Sequence, residues 1–202
     1  MQESGYRYFI INKPTNMVSQ FVSSHDVGLL GDLDYDFPEG IHAIGRLDGN
    51  SEGLLILTTN QKVTKLLFQG AVPHKRVYLV QVMNHVSEES LNKLRAGVTI
   101  LIKGGEDYIT PPCEVSIVTN PELLAVQAHA LPAYIPVTWL LIALTEGKFR
   151  QVRKMVKAIR HKCKRLIRVS IEDLILGDLQ QGCVREIEEK IFFRLLKIDN
   201  WQ

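Results

Sequence analysis

Residues 44–57 have the sequence IGRLDGNSEGLLIL, in which a single aspartate, Asp48, lies in a polar stretch between two apolar runs. A mostly apolar run from Gly40 to Ile44 precedes it, and Leu54 to Leu57 follow it. The intervening glycines, asparagine and serine permit tight or left-handed turns. The pattern predicts a strand, an exposed loop and a second strand, with Arg46 and Asp48 displayed from rigid flanking elements. An aspartate that only caps the turn is the alternative interpretation.

The basic residues are concentrated in one segment. Ten of the 24 Lys and Arg residues lie between Lys148 and Arg168, a segment without Asp or Glu, although the whole chain carries a net charge of only +2. The rest of the chain therefore holds 14 basic residues against 22 acidic ones. Clustered positive charge indicates a polyanionic partner, because each neutralised phosphate releases counterions. We expect nucleic acid at this segment, and a solvated charged face is the alternative.

Length and composition favour a globular protein. The chain has 202 residues, of which 46% are hydrophobic and 23% charged, enough for a sizeable core. No apolar run reaches the ~18 residues that cross a bilayer, and the first five residues lack the features of a signal peptide. The three cysteines form no CxxC pair, which predicts a reducing compartment rather than disulfides or a zinc site. We expect a cytoplasmic protein without membrane contact; the cysteines are Cys113, Cys163 and Cys183.

Hydrophobic periodicity predicts alternating strands and short helices. Strands are expected over Tyr6–Ile11, which Asn12-Lys13-Pro14 would end, and over Arg76–Val82, Glu114–Val118, Leu123–Ala128 and Thr138–Leu144. Helices are expected from Asn60 to Phe68 and from Ser87 to Gly97, where serine would cap the start and glycine would close the end. Residues 23–40 are polar and rich in glycine and aspartate, so we expect a loop there.

The basic segment has a regular internal pattern. An apolar stripe at i, i+3, i+4 and i+7 predicts a helix from about Gln151 to Arg160, formed by Val152, Met155, Val156 and Ile159. Cations lie on a neighbouring face of that helix: Arg153, Lys157 and Arg160. After the helix, alternation predicts a strand in which Arg165, Ile167, Val169 and Ile171 face away from Leu166, Arg168 and Ser170. Helix and strand together would form a surface along a phosphate backbone.

Other site patterns fail. Asp32, Asp34 and Asp36 alternate as in an EF-hand, but Phe37 and Ala43 stand where that loop requires glycine and glutamate. The six histidines show no paired ligand spacing, Gly147-Lys148 lacks the glycines of a P-loop, and no nicotinamide fingerprint occurs. What is left is a site built from Asp, Arg and Tyr, for which we expect neither a metal nor an organic cofactor.

Three sequence blocks occur in order, with Asn12-Lys13-Pro14 ahead of them and Leu166-x-Arg168 behind: Gly45-Arg46-Leu47-Asp48-x-x-Ser51-Glu52-Gly53-Leu54-Leu55, Lys75-Arg76-Val77-Tyr78-x-Val80, and Glu146-Gly147-Lys148-x-Arg150-Gln151-Val152-Arg153-Lys154-Met155. Together they closely resemble the RsuA-type family of bacterial ribosomal RNA pseudouridine synthases, over roughly residues 6–188. The resemblance implies isomerisation of a uridine within RNA: the bond from the base nitrogen to the sugar breaks and re-forms through carbon 5 of the base. A stacked base is out of reach, so it would be flipped out.

The resemblance also implies residue roles. Asp48 would be the essential carboxylate, Tyr78 would pack against the target base, and Arg153 would pair with the carboxylate. Asp48 would either attack the sugar or remove a sugar proton. Arg46 would reach into the RNA. Further RNA contacts are expected from Lys13, Lys148, Arg150, Lys154, Lys157, Arg165 and Arg168.

The resemblance extends to a subgroup and a fold. Many relatives carry a small RNA-binding domain ahead of the catalytic region, and the first predicted strand here begins at about Tyr6. That start and Ser19-Gln20-Phe21 resemble the RluE-type members, which act on large-subunit RNA. Departures from the usual pattern are Asn16 and, in place of glycine, Arg160 and Glu172.

The implied fold is α+β, with a mixed, mainly antiparallel sheet, flanking helices and two lobes around an RNA cleft. One catalytic domain over 5–196 would divide at about residue 70 into lobes 5–70 and 71–196. The expected partner is 23S ribosomal RNA or its precursor particle, bound by a monomer. A non-catalytic RNA-binding or ribosome-assembly protein is the alternative. An enzyme acting on a small substrate would leave the cationic helix without a purpose.

Overall fold

The computed structural model describes residues 5–70, 72–129 and 134–201. These residues form four helices: α1 (Lys62–Phe68), α2 (Glu88–Ala96), α3 (Gln151–Ala158) and α4 (Glu189–Leu195). They also form eleven strands: β1 (Tyr8–Lys13), β2 (His42–Ile44), β3 (Glu52–Thr58), β4 (Arg76–Met83), β5 (Thr99–Leu101), β6 (Asp107–Ile109), β7 (Glu114–Val118), β8 (Val137–Leu144), β9 (Cys163–Ile171), β10 (Leu174–Ile175) and β11 (Val184–Ile187). None of these helices is long and apolar enough to cross a membrane.

Nine of the strands form one sheet in the order β11-β1-β3-β9-β4-β8-β7, with β2 beside β3 and β10 beside β9. Strands β5 and β6 form a separate hairpin. Among the strands just given, only β3 and β9 pair in parallel, at Glu52 with Ile167 and Gly53 with Arg168. The predicted α+β class with a mixed, mainly antiparallel sheet is confirmed.

Strand β3 is buried on both faces, which explains its unbroken apolar run. Successive side chains of a strand point to opposite faces. Leu54 and Ile56 therefore pack in the core that contains Phe192 of α4, whereas Leu55 and Leu57 pack in a second core. The loop that carries Asp48 thus leads directly into a strand whose residues are all buried, which fixes its position.

Local signals predicted several boundaries correctly. The Ser87 hydroxyl accepts a hydrogen bond from the Ser90 N–H at 3.2 Å at the start of α2, and Gly97 follows its end at a φ of 99°.

Strand β1 continues through Lys13 instead of ending at Ile11, because Asn12 and Lys13 still pair with β3.

The strand predicted over Leu123–Ala128 is wrong. A 3-10 turn over Pro121–Leu123 occupies its start, and the Ala128 N–H donates to the Ala125 carbonyl in a further turn. Pro121 at the first position has the φ that favours a helical turn. Ala125 and Ala128 are buried although they belong to no strand.

The C-terminal strand lies in the N-terminal half of the sheet. Strand β11 pairs with β1, from Tyr8 opposite Ile187 to Ile11 opposite Val184, and Tyr8 packs on Phe192 of α4. The division into lobes at about residue 70 stays a prediction, and a first lobe on this sheet would have to include residues 184–195.

Candidate active site

A cleft of about 880 Å³ opens beside the loop between β2 and β3. Residues from that loop, from β4 and β9 and from the segment ahead of α3 line it. Six of the residues singled out in the sequence meet there: Arg46, Asp48, Tyr78, Lys148, Arg150 and Arg168. The others, which lie outside the lining of this cleft, are Lys13, Arg153, Lys154, Lys157 and Arg165.

The Asp48 loop is a hydrogen-bonded turn that is anchored to the rest of the protein by the Ser19 side chain. The Ser51 N–H donates to the Asp48 carbonyl at 3.0 Å. Leu47 is buried, and the Ser19 hydroxyl bonds both its backbone groups, accepting from its N–H at 3.0 Å and donating to its carbonyl at 2.9 Å. The Asp48 side chain is 30% exposed and lines the cleft. The strand, loop and strand predicted around Asp48 are present, and the carboxylate is open to a ligand.

Arg168 supports the loop from the interior, so its predicted contact with RNA is corrected. Its side chain is 2% exposed, because β9 is covered on both faces where it lies between β3 and β4. Its Nε donates to the Leu54 carbonyl and its Nη2 to the Gly45 carbonyl, both at 2.8 Å. Burial lowers the pKa of Arg168, an effect that the neighbouring Tyr78 phenol opposes. The guanidinium therefore fixes the start of the Asp48 loop.

The predicted contact of Lys13 with RNA is also corrected. Its side chain is fully buried, and its ammonium donates to the carbonyls of Pro14 at 2.8 Å and Met17 at 2.5 Å. The Gly49 carbonyl lies 3.5 Å away, on the Asp48 loop. Burial lowers the pKa of Lys13 to about 8, with Glu52 and Asp48 partly opposing the change. A lysine in this position cannot contact a phosphate backbone and instead joins the end of β1 to the Asp48 loop.

The buried ammonium predicts a pH dependence of stability. Folded Lys13 loses its proton near pH 8, whereas an unfolded lysine loses it near 10.4. Between these values the unfolded chain binds more protons, so the free energy of unfolding rises with pH. We expect the free energy of unfolding of wild type minus that of Lys13→Met to increase by about 1.4 kcal/mol per pH unit in this window. Denaturant unfolding at several pH values measures it.

Lys62→Met, which removes an exposed lysine of α1, is the control and should show no such growth. A pH-independent difference between wild type and Lys13→Met would mean that the ammonium keeps an ordinary pKa.

Arg150, not Arg153, contacts the carboxylate. The Arg150 Nη1 lies 3.3 Å from Asp48 Oδ2. The Arg153 Nη2 instead donates to the Asn50 carbonyl at 2.7 Å and to the Ser51 hydroxyl at 3.2 Å. The predicted pair of Arg153 with Asp48 is therefore absent, because the Arg153 guanidinium is held by the backbone just beyond Asp48. Arg150 precedes α3 in a left-handed conformation, at a φ of 55°.

These contacts predict different effects for the two arginines. Arg153→Ala removes charged hydrogen bonds to the loop, so we expect a loss of roughly 1–3 kcal/mol of stability together with activity. Arg150→Ala removes a partly exposed pair and should cost under about 0.5 kcal/mol of stability, while any activity that depends on the carboxylate falls about tenfold or more because the carboxylate loses its cation. Urea unfolding and single-turnover assays measure both. If Arg153→Ala kept full stability and Arg150→Ala kept full activity, the results would favour the predicted pair of Arg153 with Asp48 over the pair of Arg150 with Asp48.

Tyr78 lies on β4, where it pairs in register with Arg168 of β9. It is half-buried and packs against two hydrophobic cores, and its exposed part lines the cleft with Asp48. An aromatic side chain fixed in this way offers a flat face to a base.

The structure adds residues that the sequence did not single out. The Arg76 guanidinium lies over the Phe68 ring, 5.4 Å from its centroid, and both line the cleft. Glu146, also in the cleft, accepts hydrogen bonds from Tyr108 Oη and Gln151 Nε2, each at 2.5 Å. Arg76 and Glu146 belong to the second and third sequence blocks, but their partners come from other elements that no local pattern connects to them.

The remaining predicted cations take three different positions. Arg165 forms a two-point ion pair with Glu52, at 2.9 and 2.7 Å, and donates to the Gln127 carbonyl. The Lys154 ammonium lies 5.5 Å from the centroid of the Phe149 ring. Lys157 is exposed and lines a second concavity. Arg165 is thus engaged by an acid inside the protein, so its predicted contact with RNA has no support from this geometry.

Residues 7–158 match the family model described as RNA pseudouridylate synthase. The chain belongs to this family. It is 37% identical over 183 residues to a protein of Vibrio parahaemolyticus named ribosomal large subunit pseudouridine synthase E, covering 90% of this chain and 74% of that protein. A Xanthomonas axonopodis protein of the same name is 33% identical over 172 residues, covering 84% and 88%.

A solved structure shows the same fold. The crystal structure titled pseudouridylate synthase superposes with a TM-score of 0.76 at 23% identity, and the match covers 96% of this chain and 76% of that one. The family model and the named relatives confirm the resemblance to a pseudouridine synthase family that the sequence blocks indicated.

Proposed function

We propose that this protein converts a uridine of large-subunit ribosomal RNA into pseudouridine, with Asp48 as the essential carboxylate. The observation that supports this most directly is the partly exposed Asp48 side chain in the cleft of a chain that belongs to the pseudouridylate synthase family. The named relatives act on large-subunit ribosomal RNA, which supports that substrate.

The chemistry requires a flipped nucleotide. Extrusion from a stacked helix costs a few kcal/mol, and contacts in the cleft offset it. Asp48 acts on the sugar side, by attack on the anomeric carbon or by removal of a sugar proton. The bond to the base nitrogen breaks, the base turns, carbon 5 bonds to the sugar, and the hydrogen at that carbon leaves as a proton while the nitrogen gains one. Because the product is an isomer of the substrate, the reaction requires no group donor and no net oxidant.

The residues around Asp48 would bind the base and the phosphates of the RNA and position the Asp48 loop. Tyr78 stacks on or beside the extruded base. Arg46, Lys148 and Arg150 line the cleft and would hold phosphates near the target and keep its base out of the stack. The buried side chains of Lys13 and Arg168 would position the Asp48 loop without touching the RNA. We further propose that the protein acts as a cytoplasmic monomer and that 23S RNA or its precursor particle is the form bound.

The test is product formation on an unmodified transcript of large-subunit ribosomal RNA. Nucleoside mass spectrometry should detect pseudouridine with the wild-type protein, and mapping in a deletion strain should show one uridine left unmodified. Binding that depends on salt but yields no product would favour the non-catalytic RNA-binding alternative.

A further inference from the structure

The surface carries a second concavity of about 450 Å³ besides the cleft. Arg150 lines both spaces, so they are neighbours along the protein surface. The lining of the second concavity carries five lysines and arginines and no acid. The five cations are Arg150, Arg153, Lys157, Arg160 and Lys162, and His161 and Cys163 complete the lining. We call it the basic concavity.

Four of the five cations of the basic concavity have no acidic partner among the described residues. Arg150 contacts Asp48, but no carboxylate of the described residues lies within 4 Å of the charged nitrogens of Arg153, Lys157, Arg160 or Lys162. Elsewhere in the described chain cations do pair, as Arg7 does with Glu186 and Arg165 with Glu52. Like charges held together repel each other, and an anionic ligand would remove that cost.

The backbone at Arg160 gives a second, independent observation. Helix α3 ends in a Schellman motif, in which the His161 N–H donates to the Val156 carbonyl at 3.0 Å and the Arg160 N–H to the Lys157 carbonyl at 2.9 Å. Arg160 occupies its left-handed position, at a φ of 64°, which glycine fills at least cost. Arg160 is exposed, and within the described residues its side chain makes no hydrogen bond or ion pair that would offset this backbone strain.

We propose that the basic concavity binds backbone phosphates of the RNA strand that flank the nucleotide in the cleft. This proposal rests on the proposed function for the identity of the RNA. RNA is favoured over another polyanion because the concavity adjoins the cleft through Arg150 and Arg153 ties it to the Asp48 loop. Phosphates carry no base identity, so the contact contributes affinity and register rather than sequence choice.

The decisive variant is Arg160→Gly. It removes the charge and relieves the left-handed strain, so we expect the unfolding midpoint to hold or rise while affinity for RNA falls several-fold. The slope of log affinity against log salt should become shallower by about one. The loss should be the same for a large-subunit transcript and for a scrambled RNA of equal length, because the contact is to phosphate.

Lys197→Gly is the matched control. Lys197 follows α4 in the same left-handed conformation, at a φ of 56°, and in the same Schellman pattern. It lines neither space and is paired with Glu172 and Asp173. Its replacement removes an equal charge and should leave RNA affinity and the salt slope unchanged.

Unchanged affinity and salt slope in Arg160→Gly would overturn the proposal, as would an equal loss in Lys197→Gly. A loss confined to the large-subunit transcript would also contradict it, since that would indicate base recognition. The outcome is separable from the proposed function. If wild type forms pseudouridine and Arg160→Gly binds normally, only the concavity proposal fails. If wild type forms none but Arg160→Gly loses affinity, only the proposed function fails.

Discussion

The Asp48→Asn variant is expected to form no detectable pseudouridine, a loss of at least about a thousandfold. The amide has nearly the size of the carboxylate but neither attacks a sugar carbon nor accepts a proton at neutral pH. RNA affinity should change less than about threefold, because the cations proposed to bind phosphate and to supply most of the affinity are unaltered. Single-turnover conversion of a transcript and a binding assay at fixed salt measure the two effects separately.

Asp36→Asn is the matched control, because it makes the same chemical change at an exposed aspartate outside the cleft. It should retain wild-type activity. Wild-type product formation by Asp48→Asn would remove Asp48 from the catalytic role, and a loss of RNA binding equal to the loss of product would assign it to binding instead.

Gly53→Ala is expected to destabilise the protein by about 3 kcal/mol or more. Gly53 lies at the parallel contact between β3 and β9 at a φ of 96°. A Cβ there would lie 2.4 Å from the carbonyl oxygen of Arg168, a backbone atom fixed within the sheet. Either β9 moves away or the ladder breaks. Because Arg168 also holds Gly45, activity should fall together with stability.

Gly40→Ala is the control that separates the cost of a left-handed backbone from the cost of a steric clash of the new Cβ. Gly40 has a comparable φ of 77°, but a Cβ there meets nothing within 4 Å. Its loss of stability should be about 1–2 kcal/mol, the cost of left-handed backbone alone. Denaturant unfolding of both variants measures the difference, and equal losses would show that the close approach of β3 to β9 is not required.

The features that the sequence predicted correctly are local. Glycine, asparagine and serine around Asp48 identify a turn whatever the rest of the chain does, and the serine and glycine at the ends of α2 act within one helical turn. The stripe in α3 likewise depends only on helical period, and Met155 and Val156 are indeed buried.

The errors arise from non-local contacts. Arg168 was expected to contact RNA, but β3 and β4 flank its strand, β9, and both faces of that strand are covered. Lys13 follows the same logic at the end of β1. In both cases the fold uses a cation that was expected to contact RNA to bond a carbonyl of the Asp48 loop instead.

The choice between Arg150 and Arg153 depends on backbone geometry that spacing cannot show. Helical period assigns Arg153 to a face of α3 but says nothing of Arg150, which lies outside the helix in a left-handed conformation. The same limitation hid the full extent of the basic concavity. Helical period placed Arg153, Lys157 and Arg160 on one face of the predicted helix, but Lys162 joins them because α3 ends in a Schellman motif and the chain turns back into β9.

We propose above all that Asp48 and Tyr78 receive an extruded uridine in one cleft. A crystal structure of the Asp48→Asn protein with its uridine-containing RNA tests it most directly. We predict the target base out of its stack and against the Tyr78 ring, with its ribose in contact with residue 48. A target uridine still stacked in the RNA, or bound with its ribose away from residue 48, would contradict the account.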